Sequence, residues 1–251
     1  MKYLQMDLNA DAGESFGNYR YGDDEGIMPY LSSVNIACGF HAGDPRVMRK
    51  TVRLAMQHGV AVGAHVGLPD LLGFGRRVMD IGAEEMRDYV VYQVGALKAF
   101  VEAEGGQIHH VGPHGELAAS CRKNPEVGEA FAAGVHEAAP KAAIIGRPGL
   151  PTFDAAVQLG HKGACQVGLD LEYRPDRTAI LQRVREYFPV DRAMRRLRQI
   201  LIDGAFPAND GTIFDFPVNT LLVHSDTPNA AELLKSAREE MARLGVECRA
   251  F

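Results

Sequence analysis

A cadence recurs along this chain: a short apolar run, a glycine-rich polar loop, then an amphipathic helical stretch. Strands alternating with helices pair in parallel through right-handed crossovers, so the cadence predicts an α/β fold. The apolar runs are residues 3–8, 34–38, 60–64, 108–111, 142–145, 163–167, 220–224 and 246–249. Helical patterns fall at 44–57, 83–104, 124–138, 152–159, 179–187, 192–203 and 226–244. Asp44-Pro45 and Asn124-Pro125 read as a capping side chain followed by a first-turn proline. Asp226-Thr227-Pro228 reads as the start of the last helix. Seven or eight such units predict a closed or nearly closed (β/α)7-8 barrel, with an open doubly wound sheet as the alternative. No Pro-, Ser- or charge-rich linker divides the chain, and 251 residues suit one barrel, so 1–251 reads as a single domain.

Charge and cysteine usage narrow the function classes. Lys+Arg 27 against Asp+Glu 32 leaves a net charge of -5, which argues against a nucleic-acid partner. The run Arg192, Arg195, Arg196, Arg198 reads as the solvated side of a helix whose other side carries Met194, Leu197, Ile200 and Leu201. Cys38, Cys121, Cys165 and Cys248 have no metal-knuckle spacing, and a buried structural role is expected for Cys38. The first residues lack the apolar core of a signal peptide, and no run of about 18 apolar residues would span a bilayer. The expectation is a cytoplasmic protein with no membrane partner.

The informative pattern is where acids and imidazoles fall. Asp7, Asn9, Asp11 and Glu14 lie at the end of the first apolar run; His41 and Asp44 follow the second; His65 and Asp70 follow the third. His109, His110 and His114 flank the fourth, Asp170 follows the sixth, and His224 and Asp226 end the late strand. Parallel strands open their carboxyl ends on one face, so these groups are expected on one rim. Carboxylates with several imidazoles suit general acid/base chemistry or a divalent metal, with Asp11, His41 and His65 as metal candidates. Arg76-Arg77 reads as an anion clamp. Blander readings stand beside these: Asp44 and Asp226 as helix caps, His58 as a helix-end cation, His136 and His161 as surface residues. The glycine-rich turns match neither a Walker A loop nor a dinucleotide fingerprint.

Six segments in order, DLNADAGESFG (7–17), SSVNIACGFHAGDP (32–45), GVAVGAHVGLPDLLGFGRR (59–77), VYQVGALKAF (91–100), VGPHGELA (111–118) and LLVHSDTPNA (221–230), resemble the motifs of the LamB/YcsF family. The resemblance implies a seven-stranded β/α barrel of the glycoside hydrolase/deacetylase type. It implies hydrolysis of a small lactam or amide: ATP-dependent opening of 5-oxoproline to glutamate, carried out with two partner subunits. It places Asp11, Glu14, His41, His65 and His114 as catalytic and Asn9, Asp44, Arg76 and Arg77 as substrate-binding. The pattern departs from the family at Ala10, Ala12, Val66, Leu68, Glu116, Ala118, Gln166, Leu171 and Ser225, and at Gly112, where the family carries a lysine. A metal-dependent deacetylase or carbohydrate hydrolase, and a non-catalytic partner subunit, remain as alternatives.

Overall fold

The strands are β1 (Gln5–Ala12), β2 (Ser33–Ala37), β3 (Ala61–Val66), β4 (His110–Pro113), β5 (Ala143–Gly146), β6 (Gly163–Gly168), β7 (Glu172–Tyr173), β8 (Ala179–Ile180), β9 (Ala205–Pro207), β10 (Ile213–Asp215), β11 (Thr220–Val223) and β12 (Glu247–Cys248). The helices are α1 (Asp24–Ile27), α2 (Pro45–Gln57), α3 (Ala83–Ala103), α4 (Gly115–Lys123), α5 (Pro125–Ala138), α6 (Pro151–Gln158), α7 (Val190–Asp203) and α8 (Ala230–Arg243). This computed structural model describes residues 1–180, 182 and 184–251. Strands β1 to β6 pair in sequence, all parallel, and β11 lies between β6 and β1. The sheet therefore closes on itself as the seven-stranded barrel expected, rather than an open doubly wound sheet, and β12 pairs with the start of β1.

Alternation along β1 shows how the sequence builds this wall. Met6, Leu8, Ala10 and Ala12 join the apolar core. The intervening Asp7, Asn9 and Asp11 bond to side chains of neighbouring strands. Asp7 accepts from Ser33 Oγ (2.7 Å), and Asn9 Nδ2 donates to Ser33 Oγ (2.7 Å). Asn35 Nδ2 donates to both Asn9 Oδ1 (2.7 Å) and Asp11 Oδ1 (2.8 Å). On β4, His110 Nε2 meets Asn35 Oδ1 at 2.7 Å. Barrels of this general kind are usually filled by branched apolar layers; here a satisfied polar ladder takes that place. The ladder also explains why β1 runs to Ala12 instead of stopping at residue 8: its polar residues are strand residues with buried partners, not loop.

Several expectations need correction. Ala179–Ile180 is a strand paired antiparallel to β7, not the start of a helix over 179–187. Asp176 accepts from the Thr178 amide and hydroxyl, which fixes a hairpin turn there. Residues 182 and 184–187 are not helical, while 181 and 183 lie outside the described residues. The β9–β10 hairpin and α4 were not foreseen. The last helix starts after Asn229, whose side chain bonds Phe188 rather than capping it, and Asp226 is engaged by arginines. His109 and His110 stand at the start of β4, towards the opposite end of the barrel from the expected rim. His161 is buried, with Nδ1 on the Ala142 carbonyl at 2.7 Å. Asp44 and Asn124 cap α2 and α5 through the following amides, as read.

Arg196 departs from the solvated face assigned to it. It is buried, and Nη1 donates to the carbonyls of Gly168 (3.3 Å), Leu169 (3.1 Å) and Leu171 beyond β6. Those carbonyls lie where the chain leaves the barrel, and one guanidinium serves all of them. Arg196→Met keeps the stem but leaves buried acceptors unpaired, at a cost of about 1–3 kcal/mol per group left unsatisfied. Urea unfolding is expected to show Arg196→Met less stable by about 2–4 kcal/mol, with a lower midpoint; an unchanged midpoint would mean that water serves the carbonyls equally well.

Candidate active site

The carboxyl ends of β1, β2, β3 and β4 deliver Asp11, His41, His65 and His114 to one buried cluster, and Glu14 joins it from the loop after β1. One donor atom each from Glu14, His41, His65 and His114 lies within 4.8 Å of the others. His41 and His114 stack with ring centroids 3.9 Å apart, and His65 stands edge-on to both, at 5.4 and 4.8 Å. His65 Nε2 is 3.4 Å from Asp11 Oδ1 and 3.0 Å from His114 Nδ1. Glu14 Oε1 is 3.6 Å from His41 Nε2.

Glycines make this density possible. A Cβ on Gly67 would stand 2.2 Å from His41 Nδ1. Gly115, with φ +52, starts α4 directly after His114, and a Cβ there would meet the Gly75 carbonyl at 2.8 Å. A larger residue would have to move His41 at the first position and the Gly75 backbone at the second.

The proton positions follow from fixed partners. His114 Nε2 meets the Phe74 carbonyl at 2.8 Å, and a carbonyl only accepts. Nε2 therefore carries the hydrogen and Nδ1 presents a lone pair to His65. Burial, then the neighbouring histidines and Arg76, holds His41 and His114 well below the ordinary imidazole range. Burial lowers His65 too, partly opposed by Asp11. Burial, then the negative charge of Asp11 and Asp226, raises Glu14 well above the usual carboxylate range, although Ser225 Oγ donates to it at 2.8 Å. The cluster thus combines neutral imidazoles with a carboxyl that tends to keep its proton. Among the described residues, Glu14 Oε1, both His41 nitrogens and His65 Nδ1 have no hydrogen-bond partner.

Beside the cluster lies a cavity of about 260 Å³ lined by Asp11, His65, Arg76, His114, Gln166 and His224, among others. Arg122, Arg147 and Arg177 line it as well. These three arginines were missed. Arg147 follows β5 as the histidines follow their strands, so the strand-end rule applied to arginine would have found it; Arg122 and Arg177 sit on the unforeseen α4 and β7–β8 hairpin.

The expected substrate-binding residues divide. Arg76 lines the cavity, with Nη2 2.8 Å from Asp226. Arg77 is bound to the Asp70 carboxylate and its side chain is 58% exposed. Asn9 is inside the barrel below the rim, and Asp44 is occupied by the amides of Arg46, Val47 and Gly17. Of the metal candidates Asp11, His41 and His65, the last two fall in the tight donor group with Glu14 and His114, while Asp11 stands beside it. Burial drives the Cys38 thiol up to about 12, which leaves it inert as a nucleophile.

A salt-bridge chain lies next to the cluster, with Asp226 and Arg76 acting on Glu14. Arg185 joins Asp170 (3.1 Å) to Asp226 (3.3 Å). Asp170 also accepts from the His224 amide (3.1 Å) and Thr227 Oγ1 (2.6 Å) and lies 3.0 Å from His224 Nδ1. Burial alone would raise Asp170, but His224, Arg185 and Thr227 outweigh it and hold the carboxyl at about 2. A carboxyl lowered on folding adds stability above its ordinary value near 3.8, and that stability is lost as pH falls towards 2. The drop corresponds to about 2–3 kcal/mol. Asp170→Asn is expected to lower the urea midpoint at pH 7 and to flatten its fall between about pH 4 and 2; parallel curves for the two proteins would exclude this role.

Known proteins agree with this architecture. The chain matches the LamB/YcsF family over residues 6–251. It is 42% identical over 245 residues to the A subunit of 5-oxoprolinase from Thermococcus onnurineus (strain NA1), covering 97% of this chain and 96% of that one. It is 41% identical over 232 residues to the A subunit of 5-oxoprolinase from Bacillus cytotoxicus, covering 91% and 92%. The solved lactam utilization protein from Thermus thermophilus superposes with a TM-score of 0.90 at 39% identity, covering 99% of this chain and 100% of that one. A putative cellobiose-phosphate cleavage protein from Enterococcus faecalis V583 shares the fold alone, with a TM-score of 0.55 at 11% identity over 99% and 97% of the two chains. With its ordered motifs, its closed barrel and a family match spanning nearly its whole length, the chain belongs to the LamB/YcsF family.

Proposed function

We propose that this chain is a hydrolase of cyclic amide bonds that opens 5-oxoproline to glutamate, as one component of an ATP-dependent complex with two partner subunits. The observation that carries this reading is the single buried cluster of Asp11, Glu14, His41, His65 and His114 beside a small cavity. The relatives named as the A subunit of 5-oxoprolinase, more than 40% identical over most of the chain, supply the substrate class. In this reading ATP serves the partner subunits' share of the work, and the site is reached from a cytoplasmic pool of small molecules.

Ring opening adds water to the lactam carbonyl carbon, breaks the C–N bond and delivers a proton to the nitrogen. Asp11, steadied by Asn35 Nδ2 at 2.8 Å, takes the proton of the attacking water directly or through His65. His65 and His114, 3.0 Å apart, pass a proton between Nε2 and Nδ1. Glu14, kept protonated by burial and nearby negative charge, is the acid for the departing nitrogen. Arg76, fixed by Asp226, holds positive charge beside the cavity where the carbonyl oxygen gains negative charge.

A second reading rests on the orphaned donors. Glu14 Oε1, His41 and His65 Nδ1 are buried polar atoms that would favour a partner, and a Glu/His donor set suits a first-row divalent cation. The Phe74 carbonyl orients His114 as an outer partner orients a ligating imidazole. A divalent cation held by Glu14, His41, His65 and His114 would polarise the substrate carbonyl as a Lewis acid.

Two measurements test these readings. With 5-oxoproline, ATP and the partner subunits, His65→Ala is expected to lose turnover by about 10²-fold or more; equal turnover in the two proteins removes His65 from the mechanism. Elemental analysis is expected to find a divalent ion near one per chain if the metal reading holds, lost together in His41→Ala and His114→Ala. Full activity after chelation, in protein free of metal, would dismiss that reading.

A further inference from the structure

The wall of the cavity carries Arg122 from α4, Arg147 from the carboxyl end of β5 and Arg177 from the β7–β8 turn. Three guanidinium groups from separate elements converge on one space. Other arginines of the rim have a carboxylate beside them: Arg76 and Arg185 pair with Asp226, Arg185 also with Asp170, and Arg77 with Asp70. Among the described residues, none of Arg122, Arg147 and Arg177 has a carboxylate within 4.0 Å. The two side chains outside the description, at 181 and 183, are leucine and arginine and supply none.

Like charges are held together here by construction. Arg147 donates to the Arg177 carbonyl at 2.8 Å. Both guanidinium groups lie over the Phe216 ring, at 5.8 and 5.9 Å from its centroid. Among the described residues Arg177 is one of two non-glycine residues with positive φ, at +67°, a conformation disfavoured for a long side chain. The turn that imposes it is closed by Arg177 N on the Arg174 carbonyl and by Asp176 on Thr178. Burial, then the positive charges of Arg122 and Arg177 among its neighbours, pushes Arg147 below the usual arginine range. Such an arrangement costs free energy unless an anion offsets it.

We propose that Arg122, Arg147 and Arg177 form an oxyanion-binding subsite that takes the carboxylate of the substrate and so selects lactams bearing an anionic group. The proposal rests on the lactam reading above. Asp11, His65 and His114 line the same cavity, so a ligand anchored by its carboxylate at the arginines presents its ring to the reacting groups. Planar guanidinium forks match carboxylate and phosphoryl oxygens equally well, so the chemistry on offer is an oxyanion, and the test separates the two sources.

Calorimetric titration of the whole chain with 5-oxoproline, with 2-pyrrolidinone, which lacks the carboxylate, and with inorganic phosphate tests the proposal. The wild type is expected to bind 5-oxoproline at least about tenfold more tightly than 2-pyrrolidinone, the scale of one charge-assisted hydrogen bond. Arg147→Gln is expected to erase that difference while leaving 2-pyrrolidinone unchanged. Arg122→Gln, on a partly exposed helix position, gives the same readout should Arg147→Gln fold poorly. Phosphate that competes with 5-oxoproline in the wild type and not in these variants supports the same subsite. Unaltered 5-oxoproline affinity in both folded variants overturns it. If neither lactam binds, but phosphate binds to the wild type and not to the variants, the anion subsite stands and the lactam reading falls; if phosphate also fails to bind, both fall.

Discussion

Asn35 is the hinge on which the site depends. Its amide nitrogen donates to Asn9 and Asp11, and its amide oxygen receives His110 Nε2 at 2.7 Å. Four polar side chains from three strands thereby satisfy one another where no bulk water reaches. A buried amide network of this kind is worth much when complete and costly when any member is missing. Its completeness sets the register of β1 against β2 and fixes the Asp11 carboxylate at the top of the barrel, 3.4 Å from His65. Asp11 and His65 stand on strands, and Glu14, His41 and His114 follow strand ends within a few residues, so the sheet holds the spacing of the cluster.

Above that foundation the electrostatics divide into two regimes. The histidine cluster is deeply buried, which pushes His41 and His114 well below the ordinary imidazole range and Glu14 well above the usual carboxylate range. A few ångströms away, the Asp170–Arg185–Asp226–Arg76 chain is fully paired, and its carboxylates stay ionised. Groups whose environments pull their proton affinities apart are what acid/base chemistry near neutral pH requires. Arg122, Arg147 and Arg177 add a third feature, positive groups with no carboxylate within 4.0 Å among the described residues.

Much of this was legible beforehand. The strand–helix cadence pointed to a parallel α/β fold, closed or open, the family resemblance to a seven-stranded barrel, and the rule that parallel strands end on one face brought Asp11, His41, His65 and His114 to one rim. Asp44-Pro45 and Asn124-Pro125 announced their helices because capping is local. What escaped detection was either short or long-range. β7, β8, β9 and β10 have two or three residues each, too few for any periodicity. Asp226 looked like a cap because its neighbours did, yet Arg76, distant by 150 positions, claims it. Arg196 matched the polar stripe of α7 but found three carbonyls at the end of β6 to serve.

The sequence by itself determined the elements, their order and the kind of residue standing at each strand end. These follow from local periodicity, from capping chemistry and from the single side on which parallel strands finish. Only the tertiary structure decided which of those residues share a proton, which arginines have a carboxylate beside them and which do not. The reason is that pairing energies depend on distances of a few ångströms between groups a hundred or more residues apart, and on burial, which no local pattern encodes.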